Sequence, residues 1–165
     1  MQLDALKKLY VHQLKDLYSA EKQALEALPR MAKAARDEEL VTAFETHANE
    51  TRGHLKRLEQ IFASLDFGPG GQRCHGAEGL IEEAKELMRA DADVRVLDAG
   101  LVAAAQRFEH YEIAGYGTAR AFAEKLGEHD AADLLTQTLE EEAKTDRLLT
   151  RLAERSLNFE ARAAS

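Results

Sequence analysis

An all-α fold, a bundle of four long helices, is what this sequence predicts. Apolar residues recur at three- and four-residue spacing almost throughout, the mark of amphipathic helices. Two prolines in 165 residues, with no tryptophan, suit long helices better than a sheet. Two short connections flank one long one, which sorts the helices into two hairpins. A hydrophobic content of 45% is enough for a core, and a charged content of 32% makes a solvated surface. One domain over residues 1–165 is the natural reading of that length.

The first helix runs from about Gln2 to Arg36, with Leu3, Leu6, Tyr10, Leu14, Leu17, Ala24, Leu28, Met31 and Ala35 on one face. Pro29 lies inside it and should bend it. Asp37 can cap the second helix, which reaches about Leu65 and buries Leu40, Phe44, Ala48, Leu55, Leu58 and Phe62. Residues 66–79 collect Pro69 and five of the ten glycines, so they read as loop. A short helix, about Ala77 to Met88, follows inside a crossover of about 66–93. The third long helix covers about Val94 to Leu126, and Gly127 is a good residue to end it. Asp130 can cap the fourth, about Ala131 to Leu157, and the tail at 158–165 should fray. Two antiparallel hairpins joined by a long crossover have the connectivity of a ferritin-like bundle.

Charge excludes some functions. Thirty acids against 22 bases leave a net charge of −8. Phosphate recognition needs a basic surface, so no nucleic-acid partner is expected, and docking to an anionic membrane face is equally disfavoured. A DNA-protecting particle would need a basic arm that is absent here. No run approaches a membrane span, and MQLDALKKLY holds no apolar core of signal-peptide length. Cys74 is the only cysteine, so no intramolecular disulfide can form and a cytoplasmic, reducing setting is expected.

The acids do not all belong to the surface. On a 100° wheel, Glu21 interrupts the apolar face of the first helix. Glu112 interrupts that of the third, with Glu109 at its edge. Glu142 and Asp146 lie near the centre of the fourth. On the second helix His47 and His54 lie towards one edge, with Glu50 between them and slightly further out. A single acid on such a face occurs by chance about a quarter of the time. Depth makes the set more informative than its members. At 1.5 Å per residue from the first hairpin turn, Glu21 lies roughly 24 Å down and Glu50 roughly 20 Å. From the second turn, Glu112 lies roughly 24 Å down and Glu142 roughly 21 Å. The segment from Glu50 to His54 also pairs by position with that from Glu142 to Asp146, as in a pseudo-twofold bundle.

Carboxylates gathered in a core repel one another and lose hydration, at several kcal/mol for each unpaired charge. Bound cations are the direct remedy. Carboxylates with one or two imidazoles on four facing helices match a di-iron or di-manganese site. Zinc favours thiolates or several imidazoles. About six acids would then point inward, and two divalent ions would bring the net charge to about −4.

The runs LYSAEKQALEALPRMAKAA, HANETRGHLKRLEQIF, GLIEEA, AAAQRFEHYEIAGYGTA and LLTQTLEEEAKTDRLLTRLAE resemble the YciF/YciE family of ferritin-like stress proteins over nearly the whole chain. That resemblance implies a four-helix ferritin-like fold with a di-iron site, related in architecture to rubrerythrin. It also implies a bacterial, cytoplasmic, stress-associated homodimer. By the same resemblance LYSAE supplies Glu21, HANET supplies His47 and Glu50, FEHYE supplies Glu109 and Glu112, and LEEEAKTD supplies Glu142 and Asp146. The common Glu-x-x-His spacing is missing, because Gly53 follows Glu50 at three and Thr145 follows Glu142 at three. The family pattern favours His47 as the nitrogen ligand, with His54 the alternative, and helix geometry alone does not choose.

The implied centre holds two metal ions, iron or manganese. Glu21 with Glu109 or Glu112 would be terminal ligands, and Glu50 with Glu142 the bridges. Ferroxidase chemistry or reduction of peroxide or O2 is the implied activity. No paired-cysteine electron-delivery domain is present in this sequence, so a reductase would draw on an external electron donor. The rival reading is a non-enzymatic helical stress protein that binds partners or sequesters iron.

Overall fold

The computed structural model describes residues 5–164. Regular structure among them is helical throughout: α1 (Leu6–Ala34), α2 (Glu38–Ser64), α3 (His75–Arg89), α4 (Val94–Leu126), α5 (His129–Leu152), a π-helical turn (Ala153–Leu157) and α6 (Asn158–Arg162). The expected start of the first helix at Gln2, with Leu3 on its face, lies outside the described residues, as does Ser165. Among the described residues no helix is long and apolar enough to cross a membrane.

Local chemistry sets most boundaries. α1 runs through Pro29 and ends at Ala34. Asp37 caps α2 as expected, its carboxylate accepting the Leu40 N–H at 2.9 Å. Gly127 turns the chain out of α4 with φ 76°, a left-handed conformation that only glycine adopts without strain. That turn delivers the chain into α5 at His129, so Asp130 lies in the first helical turn and does not cap it. Its carboxylate still favours the positive helix start.

The crossover loop is shorter than its glycine content suggested. α3 starts at His75, ahead of the expected Ala77, because the Cys74 side chain accepts the Ala77 N–H and caps the helix. Gly76 and Gly79 are absorbed into that helix. A Cβ at Gly76 would come within 2.6 Å of the Tyr111 ring, so the close approach of α3 to α4 requires glycine there.

The residues expected to fray after Leu157 are instead helical through Arg162. Continuing the 3.6-residue period from Leu149 and Leu152 would point Ser156 inward. The π turn adds a residue and brings Leu157 into the core at 1% exposure.

α1 packs on α2 and α4, α5 packs on α4 and α2, and α3 lies over α1 and α4. Asp98, near the start of α4, accepts the N–H groups of Arg36 and Asp37, both at 2.9 Å. That places the start of α4 beside the α1–α2 turn. The end of α2 lies at the other extreme, where Leu65 shares a core cluster with Tyr10 and Val11. The crossover therefore returns along the length of the helices. The apolar core has two large parts, with a small third cluster of Ala20, Cys74 and Ala77 at the start of α3. One large part holds Leu28, Met31, Phe44, Leu101 and Leu149, the other Tyr10, Leu14, Leu58, Phe62 and Leu135. Between them lies a buried polar layer with Glu21, His47, Thr51, His54, Glu109, Glu112, Glu142 and Thr145.

Candidate metal centre

Each polar side chain in that layer stands where an apolar one would complete a helix face. On α1, Glu21 continues Leu14 and Leu17. On α4, Glu109 and Glu112 lie between Ala105 and Tyr116. On α5, Glu142 lies between Leu135 and Leu149. α2 supplies both imidazoles, because His47 and His54 are seven residues, about two turns, apart on the same face.

Two groups of candidate ligand atoms form, each within 4.8 Å of one another: Glu21, His54 and Glu142, and His47, Glu109 and Glu142. Glu142 belongs to both. Its Oε1 is 3.1 Å from His54 Nδ1, out of line for a hydrogen bond, and its Oε2 is 3.6 Å from His47 Nε2. His54 Nδ1 is also 3.1 Å from Glu21 Oε1, and His47 Nε2 is 3.1 Å from Glu109 Oε1. Tyr116 donates its hydroxyl to Glu21 Oε1 at 2.5 Å.

Behind each imidazole stands a further carboxylate, and behind that a cation. His54 Nε2 lies 2.9 Å from Glu141, which Arg57 holds through two hydrogen bonds. His47 Nδ1 faces Glu50 at 3.6 Å, and Lys144 donates to Glu50 at 3.1 Å. Outer carboxylates of this kind orient a ligating imidazole and raise its basicity.

The electrostatics are those of a crowded acid cluster. Burial, joined by the charges of Glu21, Glu142 and Glu109, pushes Glu112 well above the usual carboxylate range. Burial raises Glu142 to about 8, with the nearby His54 ring opposing it and Glu21 adding to it. Burial opposes charge on both histidines, yet the carboxylates outweigh it. Glu21 and Glu142 hold His54 at about 10, and Glu109, Glu50 and Glu142 hold His47 well above its ordinary value. Glu50, on the rim, is lowered to about 2, first by its contact with His47 and then by Lys144.

Six carboxylate oxygens in the layer have no hydrogen-bond partner: Glu21 Oε2, Glu109 Oε2, both oxygens of Glu112 and both of Glu142. Buried polar atoms are nearly always satisfied, so six in one layer call for an explanation. Bound divalent cations would supply one, and carboxylate oxygens with two imidazole nitrogens are donors that such ions accept. Cys74 takes no part, since its sulfur contacts Asp16 and Tyr111.

Residues 5–162 match the family described as Domain of unknown function (DUF892). The chain belongs to this family. Within DUF892, it is 44% identical over 162 residues to Protein YciF of Escherichia coli strain K12, covering 98% of each chain. The crystal structure of that E. coli stress protein superposes with a TM-score of 0.91, covering 94% of this chain and 99% of the other. YcfI from Rhodopseudomonas palustris, described as a proposed structural protein, has 41% identity and a TM-score of 0.87, with coverage of 91% and 97%. A Xanthomonas campestris protein shares the fold alone, at 22% identity and a TM-score of 0.76.

Among the residues singled out from sequence, this DUF892 chain brings Glu21, His47, His54, Glu109, Glu112 and Glu142 together. Both histidines enter, one in each candidate group. Glu50 and Asp146 lie outside the fully buried layer and, like Glu112, belong to neither candidate group, although Glu50 reaches His47 at 3.6 Å. The inward positions on α2 are 44, 47, 51, 54 and 58, and on α5 they are 135, 138, 142, 145 and 149. Glu142 therefore matches Thr51, one residue away from the expected pairing with Glu50, and Asp146 falls 40° off the inner line. Asp146 accepts from Gln106 at 3.0 Å and lies 3.3 Å from the exposed ring of His110. The outer pair Glu141 and Arg57 was not singled out. A signal did exist, since the two histidines at seven-residue spacing mark the inner face, and Arg57 follows His54 by three.

Proposed function

We propose that the polar layer is a two-metal carboxylate centre, iron or manganese, inside a ferritin-like bundle, and that it oxidises Fe(II) or reduces O2 or peroxide. The observation that carries this is Glu142, whose two unpartnered oxygens are shared between two Glu–His groups. Glu21 with His54 would hold one ion, Glu109 with His47 the other, and Glu142 would bridge, with Glu112 beside them. Such a pair of ions, when bound, supplies the electrons and the Lewis acidity for chemistry with oxygen species.

The protein's own groups set the conditions. Glu112 and Glu142 hold protons in the metal-free chain and must release them on loading, so affinity rises with pH. Glu141 and Glu50 orient the two imidazoles from outside. Tyr116 fixes one oxygen of Glu21 and leaves the other free. The apolar halves above and below keep bulk water away. A homodimer in the cytoplasm with an external electron donor completes the reading, and E. coli YciF, described as a stress protein, sets its physiological context.

The alternative is a non-enzymatic helical protein, in line with the description of the R. palustris relative. The His54–Glu141–Arg57 chain gives it a physical basis, because that network is closed without metal. Metal analysis of protein purified without chelator separates the two. Two ions per chain, both lost in Glu142→Ala, support the metal centre. A folded chain that takes up no Fe(II) anaerobically overturns it.

A further inference from the structure

A cavity of about 30 Å³ lies under α3, walled by Ala27 and Met31 of α1, Ile81 and Ala84 of α3, and Phe108 of α4. His47 of α2 and Glu109 of α4 also line it, beside further apolar residues of α1, α3 and α4. One water needs about 10–15 Å³ of such space, so there is room for a molecule of two heavy atoms. A buried water also needs two to four polar partners. The aliphatic and aromatic side chains offer none, and His47 and Glu109 are the polar side chains in the lining.

We propose that this cavity holds dioxygen and delivers it to the carboxylate layer, so that O2, rather than peroxide, is the oxidant the chain admits by this path. The inference rests on the metal-centre reading. Three observations carry it. Glu109 lies at 2% exposure, its Oε2 has no hydrogen-bond partner, and the residue belongs to both the cavity wall and a candidate ligand group. The opposite wall is a single short helix, α3, which gives the crossover a role in access. The lining also discriminates. Dioxygen has no dipole and gives up no hydrogen bonds on entering an apolar space. Hydrogen peroxide could find a partner only on the Glu109 and His47 side and would leave the rest of its hydrogen-bonding capacity unsatisfied, and a hydrated cation would have to shed its shell.

Xenon, a nonpolar probe for dry cavities, tests this in the metal-free full-length chain with chelator present. Saturable amide shifts centred on Ala27, Ala84 and Phe108 are expected. Their absence, or shifts centred elsewhere, overturns the proposal. Ala84→Leu fills the space from the α3 side, away from the candidate ligands, and should abolish the shifts. Ala105→Val does the same from α4, should the first variant fold poorly. Persistence of the shifts in a folded filled variant also counts against the proposal. In iron-loaded protein, the filled variant should react about tenfold more slowly with O2, the effect of about 1.4 kcal/mol on a barrier, with its peroxide rate unchanged. Equal slowing with both oxidants overturns the selective route. Failure of the metal-centre reading is distinguishable, since iron uptake would be absent while the xenon shifts remained.

Discussion

Replacing Glu112 by glutamine should weaken the pH dependence of stability in the metal-free protein. Glu112 is fully buried, and neither of its oxygens has a hydrogen-bond partner. Burial, followed by the charges of Glu21, Glu142 and Glu109, raises its pKa well above 4.5. The folded chain therefore keeps a proton that the unfolded chain releases. The stability linked to that proton is fully present below the unfolded pKa and is lost as pH rises through the folded one. One retained proton corresponds to about 1.4 kcal/mol per pH unit. Glu142 adds its own share between 4.5 and about 8. Glutamine keeps the shape of Glu112 with no proton to lose, so E112Q should remove up to one proton's share of the slope, at most about 1.4 kcal/mol per pH unit. Urea unfolding followed by circular dichroism, in chelator and from about pH 5 to about pH 8, reads this directly. The variant should gain on the native chain steadily as pH rises. Parallel slopes for the two proteins, or a native chain that gains stability with pH over this range, would refute the reasoning. Saturating Mn(II) at high pH should then raise the Tm of the native chain more than that of E112Q, since the ionised Glu112 carboxylate puts a negative charge beside the ions that glutamine lacks.

Asp146→Asn should leave metal stoichiometry unchanged by elemental analysis, because Asp146 is engaged with Gln106 and His110 outside the layer. Gly76→Ala should cost about 1–3 kcal/mol in chemical denaturation, because the new Cβ meets the Tyr111 ring at 2.6 Å and must displace it. Leu157→Ala should cost about 2–5 kcal/mol by the same assay, as expected for a core leucine at 1% exposure, and no change would refute its place in the core.

Much of the fold is legible in the sequence because each helix carries its own signals. The 3.6-residue period marks all four long helices, and Asp37 and Gly127 mark boundaries through local hydrogen bonding and backbone conformation. The signals failed where a distant group supplied the partner. Glycine content alone stretched the crossover loop, since nothing local says that Tyr111 of α4 would leave Gly76 no room for a side chain. The α1–α2 turn is likewise held by Asp98, some sixty residues away. The segment after Leu157 reads as a tail because a π turn changes the helical period ahead of α6, and a 100° wheel cannot anticipate that.

The candidate centre divides in the same way. The sequence by itself determines that Glu21, Glu112 and Glu142 interrupt apolar helix faces, because the angular position of a side chain on a helix depends only on its residue number. It also places these acids at similar depths, because rise per residue is constant. Tertiary structure alone decides which neighbours share a candidate ligand group, since a one-residue shift between α2 and α5 turns a side chain by 100°. That shift puts Thr51 opposite Glu142, leaves Glu50 and Asp146 on the rim, and turns both His47 and His54 inward. The composition reads as a net charge of −8, and the packing of four helices is what gathers four of those acids into one buried layer.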